Sequence, residues 1–369
     1  MLIGQKMKTI GLIINPIAGM GGRLGLKGTD GDAYKLAIKL GAKPFSPKRA
    51  IEFLNSLDVD VKILVPNGIM GEEAVKNAKR KFHFEIIKCS RESDTTAEDT
   101  KKCAEIISRK VDLLVFVGGD GTARDICDSI KTNIPVLGVP AGVKVYSAVF
   151  ANTPRDAAEI VKKFIKNNIR FEQKEVLDID ENEFRSNRLK IKLYGYLTVP
   201  ASKEMVEGGK TEFSGMEEDF EGIANYVVEL IKSDEVYFLG PGTTTSAIAR
   251  KLGVEKTLLG VDAILNNKLI GKDLNESKII ELAKNYKANI IVSPIGGQGF
   301  IFGRGNQQFS PEVIKLVGKE NIIIVSSKRK LQSFKSLKVD TGDEETDNML
   351  RGYFRVIVGY HQEMVVKVV

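Results

Sequence analysis

Asp120 is the one carboxylate in the run Gly118-Gly119-Asp120-Gly121-Thr122, which follows directly on the apolar stretch 111–117. Three glycines leave the backbone bare, so its N–H groups can come within hydrogen-bond reach of a phosphate. Beyond the run, Ala123, Ile126, Cys127 and Ile130 are apolar at the spacing of one helix face. A buried strand, a bare turn and a helix start make an anion site, because unpaired N–H groups and the helix dipole point at whatever lies there. A carboxylate aimed into such a crevice suits phosphoryl transfer: it orients an acceptor hydroxyl and takes its proton late in the reaction. An Asp of ordinary pKa, about 4, is ionised at neutral pH without further tuning. The plainer alternative is a tight turn in which Asp120 or Thr122 caps the helix.

Further stretches carry residues of related kinds. Asn15-Pro16-Ile17-Ala18-Gly19-Met20-Gly21-Gly22 follows an apolar run, and Asn15, Gly19, Gly21 and Gly22 would line a second phosphate-proximal loop. It is not a P-loop, and Leu24 stands where a dinucleotide fingerprint needs its third glycine. Lys144 and Tyr146 lie past the strand expected at 135–139, where a cation would meet phosphate. In Gly240-Pro241-Gly242-Thr243-Thr244-Thr245, Gly242, Thr243, Thr244 and Thr245 would cradle a nucleotide or sugar phosphate with N–H and hydroxyl groups. The stretch from Gly296 to Gln308 joins glycines to Gln298, Arg304 and Asn306, side chains suited to a base or ribose; an interdomain hinge is its alternative. Ser93-Asp94-Thr95-Thr96 reads as a helix cap, with Asp99 in the first turn, and the acidic run from Asp340 to Glu345 reads as a solvated turn before a metal site.

The elements that must position these residues alternate from the start. Strands are expected at 9–14, 61–65, 84–88, 111–117 and 135–139, and helices at 33–40, 47–57, 71–80, 96–110 and 123–131. That order implies a parallel sheet covered on both faces, with ligands beyond the carboxyl ends of its strands. A helix at 154–166, opened by Thr153 and Pro154, leads to a β-ribbon around a polar turn at 180–183. A long helix at 217–231 then precedes strands at 235–239, 258–261, 289–292 and 321–325. The expected division is an α/β domain over 1–150, a mixed β and α/β domain over 151–340, and strands in 341–369 that pair with either sheet, including a return to the N-terminal domain.

The chain has 369 residues, 43% hydrophobic and 28% charged, which is ordinary for a soluble globular protein. Its net charge of +7 is spread out, which reads as solvated surface rather than a nucleic-acid patch. Two histidines, His83 and His361, in unrelated contexts argue against His-based catalysis. Three well-separated cysteines suggest neither a zinc site nor a disulfide framework, and Cys103 and Cys127 read as packed thiols. No run approaches the roughly 18 apolar residues of a membrane span, and the start is too polar for a signal peptide, so a cytoplasmic protein with no membrane partner is expected.

Gly-Gly-Asp-Gly-Thr after an apolar strand resembles the signature shared by NAD kinases, diacylglycerol and sphingoid lipid kinases and, more distantly, 6-phosphofructokinases. The blocks at 15–22, Pro140-Ala141-Gly142-Val143-Lys144 and 296–308 narrow the resemblance to an ATP-NAD kinase-like branch that also holds proteins associated with acetoin catabolism. The resemblance implies a Rossmann-like N-terminal domain, a β-rich C-terminal domain and small-molecule nucleotides as ligands. It also implies transfer of the ATP γ-phosphate to the 2′-hydroxyl of NAD, with Mg²⁺ held largely by phosphates and water, Asp120 at the acceptor hydroxyl, and a homo-oligomer. The Asn-Glu pair of NAD kinases has no counterpart near 140–150, and Asn275-Glu276 lies too late in the chain to supply it. A kinase of another nucleotide, a polyol or a lipid, or a non-catalytic nucleotide-binding accessory protein, therefore stays open.

Overall fold

The computed structural model describes residues 7–26, 32–92, 94–141, 145–179, 191–205, 217–295 and 298–369. They fall into two units. Of these, unit 1 comprises 7–20, 43–92, 94–141, 145–179 and 191–205, and unit 2 comprises 21–26, 32–42, 217–295 and 298–369. The expected break after residue 150 is thus displaced: the described residues 151–179 and 191–205 stay with unit 1. The chain also crosses to unit 2 between Met20 and Gly21, inside the stretch expected to act as one loop.

In unit 1, β1 (Thr9–Ile14) is followed by the excursion that carries α1 (Asp32–Lys39) in unit 2, and then by α2 (Ser46–Ser56), β2 (Lys62–Pro66), α3 (Glu72–Asn77), β3 (His83–Ile87), α4 (Ala97–Ser108), β4 (Leu113–Gly118), α5 (Asp120–Ser129) and β5 (Val136–Pro140). The five strands are all parallel, in the order β3-β2-β1-β4-β5. Every residue of β4 is buried, the pattern of a strand covered on both faces. The helices α2 and α6 (Pro154–Ile165) pack together on one side, and α4 and α5 pack together on the other. Register aligns the carboxyl ends, with Ile14 beside Val117 and Gly118 beside Pro140. Thr153 caps α6 by accepting from Asp156 N–H at 3.0 Å, as its sequence implies. The ribbon is β6 (Arg170–Ile179) antiparallel to β7 (Ile191–Ala201); its expected turn at 180–183 lies outside the described residues.

Unit 2 contains α7 (Glu217–Leu230), β8 (Glu235–Leu239), α8 (Thr243–Lys251), β9 (Asp262–Leu265), β10 (Lys268–Gly271), α9 (Glu276–Asn285), β11 (Lys287–Val292), β12 (Phe300–Phe302), α10 (Pro311–Val317), β13 (Ile322–Val325), α11 (Lys328–Gln332), β14 (Lys338–Val339), α12 (Glu344–Leu350), β15 (Gly352–Gly359) and β16 (Gln362–Val368). Seven strands form one mixed sheet in the order β10-β9-β8-β11-β13-β15-β16, with β8, β11, β13 and β15 parallel. Period-two alternation divides β8 between two cores: Val236 and Phe238 face one, Tyr237 and Leu239 the other. The tail strands pair within this sheet and do not return to unit 1.

Three expectations change. The strand expected at 258–261 begins only at Asp262, because 257–260 form a loop folded around that carboxylate. Strand β10 was not anticipated; Asn266 and Asn267, both left-handed at φ 51° and 59°, turn it back on β9 as a two-residue hairpin. Cys103 is no packed thiol: it forms a disulfide with Cys89, Cα to Cα 5.2 Å. The folding of α4 against the exit of β3 brings the pair together, and spacing alone does not reveal it. Closing a loop of that length restricts the unfolded chain by about 3 kcal/mol. Cys127 remains a free thiol, half-buried.

Candidate active site

The carboxyl ends of β1, β4 and β5 gather the first cluster. Helix α5 begins at Asp120 with Gly119 as its N-cap, so neither Asp120 nor Thr122 is the cap and the helix starts three residues earlier than its apolar spacing indicates. Gly119 offers no side-chain cap bond, which leaves the first N–H groups of α5 without an intrahelical partner. Asp120 is fixed from outside the helix: its two carboxylate oxygens accept Tyr146 N–H and Ser147 N–H, each at 2.8 Å. Ser147 is itself held to β6, its hydroxyl accepting Leu177 N–H at 2.9 Å. Burial pushes the Asp120 pKa up, opposed by the bonds from Ser147 and Tyr146 and by the charge of Arg124 one turn along. The Tyr146 phenol is also raised, by burial and then by the Asp120 charge.

Asn15 reaches across from β1, its Nδ2 donating to Thr122 Oγ1 at 2.9 Å, while its own N–H bonds Val117 O at 3.0 Å. The three glycines of the run serve different needs. A Cβ on Gly118 would lie 2.3 Å from Thr122 Oγ1 and 2.5 Å from Thr122 Cβ, so Gly118 is set by packing. Around Gly121 a Cβ would meet only Arg124 Nη2, at 3.6 Å, and nothing in the fold demands a glycine there. Gly119 supplies the extended N-cap. Gly19 is left-handed at φ 79°, and a Cβ on it would strike Ala141 O at 2.2 Å. Ala141 N–H in turn bonds Gly118 O at 2.9 Å, which ties the exits of β4 and β5 together. Arg49, fully buried on α2, donates from Nε to Pro140 O at 3.4 Å and braces the same end.

The remaining expected residues lie elsewhere. Gly21 and Gly22 belong to unit 2, where a Cβ on Gly22 would meet Gln307 Cδ at 2.9 Å; the loop therefore packs its second half on the Gly296–Gln308 block. Lys144, Gly296 and Gly297 lie outside the described residues. Gln298 is half-buried. Arg304 is fully buried, its Nε and Nη2 donating to Asp340 Oδ2 at 3.2 and 3.0 Å, and Asn306, also fully buried, donates from Nδ2 to Ile301 O at 2.8 Å. These contacts knit the loop to the framework of unit 2. Asp340 is thereby paired with an arginine, Asp343 caps α12 by accepting Thr346 N–H at 2.9 Å, and the acidic run holds no metal cluster among the described residues. Asn275 caps α9 and Glu276 lies 3.7 Å from Arg23, so that Asn-Glu pair is structural.

Unit 2 has a second turn of similar build. Gly242, left-handed at φ 127° with open space where a Cβ would be, is the N-cap of α8 and makes no side-chain cap bond. Thr243 is exposed, Thr244 is buried, and Thr245 donates its hydroxyl to Gly240 O at 2.7 Å and Gly242 O at 2.9 Å. By contrast α6, α9, α10, α11 and α12 each start under a Thr, Asn, Ser or Asp side-chain cap. Sequence reasoning missed Ser147, which bonds Asp120 through both its backbone N–H and its side chain, and Lys256, whose surroundings show no motif.

Residues 10–169 match the ATP-NAD kinase N-terminal domain, and residues 233–368 match the ATP-NAD kinase C-terminal domain. The chain belongs to the ATP-NAD kinase family. As in the expected fold of this kinase family, a parallel Rossmann-like unit precedes a β-rich unit with α/β elements. No curated protein matches the chain. Among solved structures it is similar to a diacylglycerol kinase from Bacillus anthracis str. Sterne, at 17% identity over 48% of each chain and a TM-score of 0.24. A second structure from the same organism, provisionally assigned as a diacylglycerol kinase, matches at 17% identity over 48% of this chain and 47% of that one, also at a TM-score of 0.24. The matched region thus spans about half the length of those solved chains, and at that TM-score the likeness says nothing of fold or ligand. Among the described residues no helix is long and apolar enough to cross a membrane.

Proposed function

We propose that this member of the ATP-NAD kinase family is an ATP-dependent kinase that transfers the γ-phosphate to the 2′-hydroxyl of NAD, with Asp120 orienting the hydroxyl and receiving its proton. The observation that supports this reading most is the fixed Asp120 carboxylate in the first turn of an uncapped helix, beside the open face of Gly121. The first-turn N–H groups of α5, which have no intrahelical partner, favour the donor phosphates, and the two backbone donors from Tyr146 and Ser147 hold the carboxylate in one orientation, so little reorganisation is needed during transfer. Arg124 adds positive charge nearby. The Gly240–Thr245 turn is read as the phosphate- or ribose-holding element of unit 2.

No group of three or more His, Cys, Asp or Glu among the described residues could hold a metal, and both Asp120 oxygens already accept N–H donors. The donor set does not form a Mg²⁺ cage; the ion would arrive on the nucleotide phosphates with its waters. We infer a cytoplasmic homo-oligomer as the working state. The reading is tested by incubating the chain with NAD, ATP and Mg²⁺ and assaying NADP. A chain that binds nucleotide yet phosphorylates none of a nucleotide panel would overturn it. The same two bonds that orient Asp120 favour one other reading, a nucleotide-binding accessory protein in which that carboxylate only anchors residues 146–147.

A further inference from the structure

The Gly240–Thr245 turn rests on a buried cation. Gly242 N–H donates to Leu258 O at 2.9 Å, which pins the turn to the loop at 257–260. Lys256, its side chain 1% exposed, threads that loop: Nζ donates to Thr257 O at 2.6 Å and to Gly260 O at 3.3 Å, and lies 3.7 Å from Asp262 Oδ2. Asp262 is fully buried and accepts Thr257 N–H at 2.7 Å, the Thr257 hydroxyl at 2.9 Å and Asp273 N–H at 2.7 Å. Gly260 leaves no slack, since a Cβ there would lie 2.1 Å from Asp273 Oδ1 and 2.5 Å from Thr257 Oγ1. The ammonium is therefore linked to Gly242 by two hydrogen bonds joined through the Thr257–Leu258 peptide.

We propose that Lys256 is the positioning residue of the Gly240–Thr245 turn, acting through the 257–260 loop to hold Gly242 and the start of α8 in the form that receives a phosphorylated ligand. The proposal rests on the reading of that turn as the phosphate or ribose element of unit 2. Gly242 makes the support necessary: its left-handed φ is a conformation that the turn must be held in, and no side-chain cap steadies the helix start beyond it. A buried ammonium carries a large desolvation cost, offset here by the carbonyls of Thr257 and Gly260 and by the Asp262 carboxylate. Among the described residues the charged groups facing it are Asp262, at the start of β9, and Asp273, beyond β10. Burial pulls the Lys256 pKa down from 10.5 to about 8, against the opposing pull of both carboxylates. Between those two values the unfolded chain binds a proton that the folded chain has released, so overall stability rises with pH. Over the same range the turn loses the charge beneath it. A lysine serving stability alone shows the first trend with no accompanying change in the protection of Gly242 N–H.

The test is amide hydrogen exchange at Gly242 in the full chain, corrected for intrinsic rates and measured on both sides of pH 8, with Lys256→Met and Gly260→Ala in parallel. Binding of NAD, ATP and ribose 5-phosphate is followed by calorimetry. Lys256→Met is expected to lower Gly242 protection about tenfold, the worth of one hydrogen bond to a charged donor. Protection in the wild type falls toward that level above pH 8, and Gly260→Ala, which wedges the loop without removing charge, lowers it as well. In the NADP assay KM rises while kcat is retained. Gly242 protection unchanged in Lys256→Met, and unchanged across pH 8 in the wild type, overturns the proposal. Should Lys256→Met not fold, the wild-type series decides alone. If Gly242 loses protection while binding of all three probes is unaltered, Lys256 stands as the support of the turn, and the reading of the turn as a ligand site falls.

Discussion

Two glycine turns in this chain leave the carboxyl end of a parallel strand and open directly into a helix without a side-chain cap. One runs from Gly118 into α5, the other from Gly240 into α8. Both expose helix N–H groups, yet they are stabilised in opposite senses. In unit 1 the turn supplies a carboxylate, and the surrounding backbone donates to it from Tyr146 and Ser147. In unit 2 the turn carries threonine hydroxyls, its Gly242 N–H is tied to Leu258 O, and a buried ammonium organises that support. A carboxylate held by donors is a group with a lone pair in fixed orientation, which is what accepting a proton requires. A loop held by Lys256 offers shape and donors but no base. The difference assigns chemistry to unit 1 and ligand retention to unit 2, under the kinase reading.

The largest effect that would break this division is on turnover. Asp120→Asn keeps the shape and removes the ionised base, and kcat for NADP formation is expected to fall by about 10² or more. Calorimetric binding at the unit 2 turn should not change, and near-wild-type turnover would remove Asp120 from the mechanism. The wild-type pH profile sharpens the point. Burial raises the Asp120 pKa in the folded protein, so activity should fall on acidification at a pH above the ordinary carboxylate value of 3.8. The stability sign is the reverse: the folded chain takes up this proton more readily than the unfolded chain, so its contribution to stability diminishes as pH rises through that range. Denaturation of wild type and Asp120→Asn against pH measures the difference.

The sequence was most legible where one physical constraint dominated. The buried strands of unit 1, all apolar from Leu113 to Val117 in the example of β4, have only one way to satisfy both faces. Thr153 and Pro154 announced α6 by capping chemistry that is wholly local. Asp120 stands out in the sequence because it is a lone carboxylate among glycines after such a strand, and its role in transfer belongs to the proposed function. What could not be read was set at long range. The Cys89–Cys103 pair depends on how α4 lies against the exit of β3. The bonds on Asp120 come from Tyr146 and Ser147, 26 and 27 residues away and mostly through their backbone N–H groups, so no local pattern announces them. Arg304 reads as a ligand group because it shares a glycine-rich loop with amide side chains suited to a base or ribose, but its partner Asp340 is 36 residues on. The Asn266-Asn267 hairpin does carry a local signal, two adjacent residues tolerant of positive φ.

A smaller effect tests whether the unit 1 turn is held by packing. Gly118→Ala places a methyl within 2.3 Å of Thr122 Oγ1 and must displace the side chain that accepts from Asn15. Overpacking of this kind costs about 1–3 kcal/mol, read as a lower denaturation midpoint at unchanged m-value. Wild-type stability in the variant would mean that the turn has room and that Thr122 is not fixed. The equivalent change in unit 2, Gly242→Ala, meets no atom within 4 Å and is penalised through its φ of 127° instead.

The smallest effect in energy separates fold from function most cleanly. Gly121 lies inside the first turn of α5, and a Cβ there would touch only the end of Arg124, at 3.6 Å. Alanine is the better helix former, so Gly121→Ala is expected to raise stability by about 0.5–1 kcal/mol. If the bare backbone at this position admits the donor phosphates, the same methyl occupies their space. KM for ATP should then rise while the protein becomes more stable, two changes of opposite sign from one carbon atom. Thermal denaturation and steady-state kinetics on the single variant check both. A more stable protein with unchanged ATP kinetics would show that phosphate does not approach at Gly121 and would move the donor site away from α5. A loss of stability would show instead that the first turn of α5 is packed more closely than its open face indicates.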